Sequence, residues 1–138
     1  MKKLDFEQIL KDNTKEYNGK FCFLIRQAPS LYRLINKIVE EADLKKEIKS
    51  KLFCAIGYFI CPIDLYPESE HGPIGYIDDL ILLISILREI RYEYGEGFLF
   101  NFWKEDDEEL TKILDQEFED AIKEYPDLHQ ELIDLIGF

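Results

Sequence analysis

The sequence predicts an all-α protein, a compact bundle of about five to seven helices around a central apolar helical hairpin. Apolar residues recur every three to four positions along nearly the whole chain, which is typical of amphipathic helices. Two charge-free apolar runs, Leu52 to Ile63 and Leu80 to Leu87, flank a segment rich in proline and glycine. The length of 138 residues is typical of one domain, so residues 1–138 are expected to form a single helical domain.

The N-terminal third predicts three helices. Apolar residues between 4 and 10 suit a first helix, which the Asn18-Gly19 pair ends. A short apolar helix over 21–28 is expected to close at Pro29. Ser30 is a good N-cap for the third helix.

The central hairpin follows. Asp43 can cap a long helix that reaches Cys61, and Pro62 removes a backbone donor and stops it. A helix restarts near Ile77 and runs to about Tyr94. We expect the two helices to pack antiparallel, with these side chains almost fully buried: Phe53, Ile56, Phe59, Ile60, Leu83 and Ile86.

The remaining residues predict an acidic helical extension over 98–138. Gly95 suits the end of the hairpin helix, and 95–97 is expected to be a turn. The aromatic residues of 98–103 favour a helical turn packed on the core. A further helical region is expected from near Asp106, and Pro126 is predicted to begin a short terminal helix.

The charge is unevenly distributed. The net charge is −12, yet residues 1–51 carry +4 and residues 52–138 carry −16. A surface dominated by carboxylates repels phosphates, which argues against a nucleic-acid partner and favours a basic protein partner.

The thiols and hydropathy indicate a cytoplasmic protein. Cys22, Cys54 and Cys61 show no CxxC spacing, and free buried thiols are expected. The start of the chain does not resemble a signal peptide, and the apolar runs are shorter than the roughly 18 residues of a membrane span, so membrane association is not expected.

Two submotifs resemble the bacterial YkvA-like domain of unknown function over about residues 34–90. They are Tyr58-Phe-Ile-Cys-Pro-Ile-Asp-Leu-Tyr-Pro67 and Gly75-Tyr-Ile-Asp-Asp-Leu80. The resemblance implies an apolar helix, a proline-rich turn and a second helix start, but no biochemical activity. Glu68 stands where an Asp is usual, and the polar bridge 69–72 replaces an apolar segment, which weakens any membrane interpretation.

The carboxylates of this turn have two interpretations. Acids in a first helical turn or after a helix-ending proline bond backbone amides, which predicts a structural motif. Its members are Pro62, Asp64, Pro67, Gly75, Asp78 and Asp79. Converging oxygen ligands suit a divalent metal instead, although no known ligand spacing is present. The metal candidates are Asp64, Glu68, His71, Asp78 and Asp79.

The acidic run after the aromatic cluster also has two interpretations. It is either a solvated helix start or a docking surface for a basic partner. The candidate docking residues are Trp103, Glu105, Asp106, Asp107, Glu108 and Glu109, with Tyr92, Tyr94 and Tyr125 as further anchors. The acids are expected to lie unpaired on the surface.

Three functions stay open at this level. The first is a binding module that masks a basic protein, such as an immunity protein that neutralises a nuclease-like toxin. The second is a metal-dependent enzyme or metal-binding module at the central turn, although His71 and His129 lie at no catalytic spacing from a nucleophile and no cofactor is otherwise expected. The third is peripheral membrane association, which the polar bridge opposes.

Overall fold

The structure, a computed structural model, describes residues 6–60 and 76–136, and these ranges contain helices and no strand. The helices are α1 (Phe6–Thr14), α2 (Cys22–Arg26), α3 (Ala28–Glu41), α4 (Lys46–Ile60), α5 (Ile77–Tyr94), α6 (Glu96–Trp103), α7 and α8 (Pro126–Ile136). Helix α7 runs without a break through Asp107–Lys112, a π-helical segment at Ile113–Glu117 and Phe118–Glu124. The all-α prediction is confirmed, with eight helices in the described ranges.

Helices α4 and α5 pair at the centre, as the two apolar runs predict. Lys45 meets Glu93 at 2.8 Å and Lys51 meets Glu89 at 3.0 Å, so residue numbers rise along one helix as they fall along the other. The pair is therefore antiparallel. Helix α5 also contacts α6, α7 and α8, and it is buried on almost every side because it occupies the middle of the bundle.

The face that α4 turns inward differs from the one expected. Ile48, Leu52 and Ala55, spaced as one helical stripe, are 3%, 0% and 1% exposed. Phe53 is 54% exposed, so its predicted burial is wrong, because it lies about 100° around the helix from Leu52. Ile56 is only partly buried.

On α5, Leu83 and Ile86 are fully buried as predicted. The side chains of Phe59 and Ile60 lie outside the described part of the structure. Of the cysteines, Cys54 is exposed and Cys22 partly buried, which corrects the expectation of buried thiols. Cys61 lies outside the described residues.

The boundaries of the N-terminal helices also differ from the prediction. Pro29 lies in the first turn of α3 and does not close α2, because a helix start leaves its first amides without intrahelical partners and tolerates proline. Gln27 occupies the N-cap, and Ser30 lies inside the helix. Helix α4 begins at Lys46, three residues after Asp43.

The connection between α5 and α6 is shorter than the turn predicted over 95–97. Gly95 ends α5 with φ of 92°, a conformation that glycine adopts at no steric cost, and its N–H donates to the Arg91 carbonyl at 2.9 Å. Helix α6 begins at the next residue, Glu96, so Gly97 is helical. The helical interpretation of the aromatic cluster is confirmed.

The π-helical segment of α7 keeps two turns of that helix against the core. Leu110, Ile113, Leu114 and Phe118 are all buried, and the one-residue expansion of the turn lets Ile113 and Phe118 face the same side. Helix α8 begins at Pro126, as predicted. Among helices in the described ranges, none combines the length and apolarity needed to cross a bilayer.

Candidate functional site

The acidic run lies at the N-terminus of a helix that is capped by one of its own carboxylates. Asp106 is the N-cap of α7, and its carboxylate accepts a hydrogen bond from the Glu108 amide at 2.9 Å. The Trp103 indole Nε1 donates to the Asp106 carbonyl at 2.8 Å, so the end of α6 holds the start of α7 in place. Lys104, the C-cap of α6, has a φ of 60° and lies between the two helices.

We define the acidic face as Asp106, Asp107 and Glu108. All three are exposed, and no ion pair joins them to a Lys or Arg of the described ranges. The first turn of a helix favours negative charge, but three adjacent carboxylates also repel one another. The expectation of unpaired surface acids therefore holds for this face. Glu109 is half-buried.

The aromatic residues proposed as docking anchors lie elsewhere. Trp103 is 3% exposed and belongs to the core, which removes it from the docking surface. Tyr94 stacks on Phe98 with ring centroids 5.0 Å apart, and its hydroxyl accepts from the Lys45 amide at 2.9 Å. Tyr125 packs on Phe21, with centroids 6.2 Å apart. Tyr92 remains, at 88% exposed.

The two oppositely charged halves are not separate in space. Lys20 forms an ion pair with Glu124, in addition to the Lys45 and Lys51 pairs that join α4 and its start to α5. Glu105 accepts a hydrogen bond from the Ser30 hydroxyl at 3.2 Å. The fold thus neutralises part of the acidic half internally, whereas no Lys or Arg of the described residues forms an ion pair with the acidic face.

Helix α7 shares two further ion pairs with α5. Arg91 meets Asp115 at 2.8 Å, and Arg88 meets Glu119 at 3.5 Å. The Arg88 guanidinium also lies 4.5 Å from the centroid of Phe118. These contacts hold the middle of α7 against α5 and leave the charged side chains of its first turn without an ion pair among the described residues.

His129 lies beside this contact. Its ring meets Phe118 edge-on, with centroids 5.8 Å apart, and it is partly buried. Burial lowers the pKa of His129, and the nearby positive charge of Arg88 lowers it further. Burial likewise raises the pKa of Glu117, with Asp120 adding to the rise and Lys112 opposing it.

Two carboxylates at the start of α5, directly after the central turn, lie in the core. Asp78 and Asp79, in the first turn of α5, are 0% and 1% exposed. The Asp79 amide donates to Asp78 Oδ1 at 3.0 Å, which matches the expected bond from a backbone amide. Within the described ranges, no three His, Cys, Asp or Glu side chains group closely enough to hold a metal. The other candidates lie outside those ranges: Pro62, Asp64, Pro67, Glu68, His71 and Gly75.

Sequence reasoning missed a basic groove near the N-terminus. Four cations line it, contributed by α1 and its C-terminal end, α2 and α3: Lys11, Lys15, Arg26 and Arg33. The spacing of four between Lys11 and Lys15 was a readable signal, because it places both on one helical face. The approach of Arg26 and Arg33 depends on the packing of three helices, which no local pattern reports.

The comparisons with known proteins reach part of this structure. Residues 48–84, from α4 into α5, match a family model described as Protein of unknown function (DUF1232). An uncharacterised protein, ORF9, of Methanothermobacter thermautotrophicus is 23% identical over 97 residues, which cover 70% of this chain and 66% of that protein. The alignment thus spans just under two thirds of that relative. No solved structure matches the chain.

Proposed function

We propose that this protein is a small acidic helical module that docks a basic protein through the acidic face. The observation that supports the proposal is the exposure of Asp106, Asp107 and Glu108 with no ion pair from the described part of the chain. An immunity protein that covers the cationic cleft of a nuclease-like toxin is one concrete form. We place it in the cytoplasm.

The contrast with the rest of α7 supports this choice of surface. Asp115 and Glu119 are held by arginines of α5, and Glu124 is held by Lys20. Those carboxylates already have partners, so a docking protein would have to compete for them. The acids of the acidic face form no ion pair with a Lys or Arg of the described residues. Their electrostatic field extends into solvent for about a Debye length, roughly 8 Å at physiological salt.

Such a face acts mainly on the rate of association. Charges at the rim of an interface steer the encounter of two proteins and contribute less to the lifetime of the complex. A basic partner should therefore bind quickly at low salt and more slowly as salt rises. The unpaired acids would be neutralised in the complex, which relieves their mutual repulsion.

The test begins with capture of partners from the native host and measurement of their association rates. Asp107→Asn with Glu108→Gln removes two charges and keeps the Asp106 cap. We expect this variant to slow association several-fold at low salt and to flatten its salt dependence. Glu131→Gln with Asp134→Asn is the matched control, since it removes two exposed acids from α8.

Two results would contradict the proposal. One is the absence of any basic partner whose capture weakens with salt. The other is an association rate that falls equally in both double variants, because total charge alone would then explain the effect.

A divalent-cation site at the central turn is a second candidate, favoured by the complete burial of Asp78 and Asp79. Buried carboxylates need cations or several hydrogen-bond donors to offset their desolvation. Elemental analysis of protein purified without chelator tests this cation site, and a metal content that Asp79→Asn leaves unchanged would rule the site out.

We also infer that the matched stretch, residues 48–84, is YkvA-like, because it carries both submotifs in order.

A further inference from the structure

The basic groove has the size of a small-molecule site. Its volume is about 380 Å³, and small-ligand pockets occupy roughly 300–1,000 Å³. It lies where the C-terminal end of α1 meets the last residue of α2 and the first turns of α3. Glu105, on the connection from α6 to α7, lies at its rim with Ser30.

The four cations of the groove differ in how strongly they are already paired with carboxylates of the same chain. Arg33 makes a two-pronged contact with Glu7, at 3.1 and 2.8 Å. Lys15 lies 3.9 Å from Asp12, and both side chains are more than half exposed, so this contact is weak. Among the described residues, no carboxylate pairs with Lys11 or Arg26.

Arg26 is held in a way that leaves its donors available. Its Nε donates to the Tyr17 carbonyl at 2.7 Å, which fixes the direction of the guanidinium. The two terminal amino groups make no hydrogen bond within the described ranges. A fixed arginine fork with free terminal groups suits an oxyanion, because it can donate two parallel hydrogen bonds.

Without an anion, the cations of the groove repel one another weakly. The chain has 29 acidic and 17 basic residues, so acids are plentiful as partners for its cations. Lys11 and Lys15, four apart, carry like charges on one side of α1 and repel each other. An anion in the groove would offset this repulsion and also the charge of Arg26.

Glu105 already supplies a weak internal anion at the rim. Its contact with the Ser30 hydroxyl is long, at 3.2 Å, and both groups lie on the surface. The pKa of Arg33 is raised chiefly by its bond to Glu7, and the charge of Glu105 adds to the rise. Glu105 therefore lines the groove, Glu7 holds Arg33 and Asp12 lies near Lys15, which leaves the charges of Lys11 and Arg26 without a carboxylate partner among the described residues.

We propose that the basic groove binds the phosphate group of a small phosphomonoester. A phosphomonoester carries nearly two negative charges at neutral pH and three acceptor oxygens, which match several cations better than a carboxylate does. The groove volume suits a compact molecule. The net charge of −12 opposes a long polyphosphate chain such as a nucleic acid.

The test is a titration of the isotope-labelled full-length protein with glycerol phosphate and inorganic phosphate, followed by amide NMR. We expect saturable shifts at the end of α1 and the start of α3. Lys11→Gln should weaken binding about 10-fold or more, the effect of losing one charged hydrogen bond. Glu105→Gln should strengthen it several-fold by removing the competing carboxylate.

The control is Lys123→Gln, which removes an exposed cation of α7 outside the groove and should leave affinity unchanged. Vesicles with and without phosphatidic acid identify the source of the phosphate. Binding to these vesicles that Lys11→Gln weakens, without saturable shifts from the free phosphates, would assign it to a lipid headgroup. Absence of both signals, or equal losses in Lys11→Gln and Lys123→Gln, would overturn the proposal.

Discussion

Two adjacent residues of α4 should differ sharply in their contribution to stability. Leu52 is fully buried, whereas Phe53 is 54% exposed. We expect Leu52→Ala to lower the free energy of unfolding by about 3 kcal/mol, through lost burial and the cavity left between α4 and α5. The larger side chain of Phe53 should matter less than the smaller one of Leu52.

The magnitude for Phe53 follows from its exposure. Full burial of a phenylalanine is worth about 3 kcal/mol at most, and about half of the ring is covered here, which gives roughly 1.5 kcal/mol. Alanine is the better helix former by about 0.5 kcal/mol, which offsets part of that loss. Phe53→Ala should therefore cost about 1 kcal/mol or less.

Urea unfolding measures both values. Far-ultraviolet circular dichroism reports the helices, and fluorescence of Trp103, the single tryptophan and a core residue, reports packing. Coincident transitions with an unchanged slope would justify a two-state comparison. If Phe53→Ala proved as costly as Leu52→Ala, the assignment of the inward face of α4 would be wrong.

Three further effects follow from the contacts. Asp106→Ala should lower stability by about 1 kcal/mol through loss of the α7 N-cap, whereas Asp107→Asn should change it by less than about 0.5 kcal/mol; equal effects in urea unfolding would contradict the capping role. His129 has a folded-state pKa below 6.5, so the unfolded chain binds more protons between that pKa and 6.5, and stability should fall as the pH drops through this window. His129→Gln should flatten that part of the stability curve, and an unchanged slope would refute it. A double-mutant cycle on Arg91 and Asp115 should give a coupling below about 1 kcal/mol, since Asp115 is half exposed; a coupling above that value would show a stronger bridge.

Helix content was predictable because the apolar period and the breakers agree along most of the chain. Helix α5 is the clearest case: a charge-free run follows its acidic first turn and Gly95 ends it, and both bounds were predicted correctly. The start of α7 near Asp106 and of α8 at Pro126 depends on equally local chemistry, a capping carboxylate and a proline in a first turn.

The orientation of α4 was not predictable in the same way. Its sequence from Leu52 onward is apolar all around, so periodicity does not distinguish the face that Leu52 shares with Ile48 from the one that carries Phe53. Packing against α5 makes that choice. The ion pairs between the two halves of the chain depend likewise on tertiary arrangement, as Lys20 and Glu124 show.

The acidic face and the basic groove share no residue, which makes their tests independent. Glu105 lines the groove and accepts a hydrogen bond from Ser30. Asp107 and Glu108 are the first two residues of α7 and form no ion pair with the groove cations. Glu105→Gln should therefore strengthen phosphate binding and leave the association rate of a basic partner nearly unchanged. The Asp107 and Glu108 double variant should show the opposite pattern, because its charges act on the encounter with a protein. Equal effects of both variants in both assays would mean that the overall electrostatic field of the protein, and not two local sites, governs phosphate binding and the association rate.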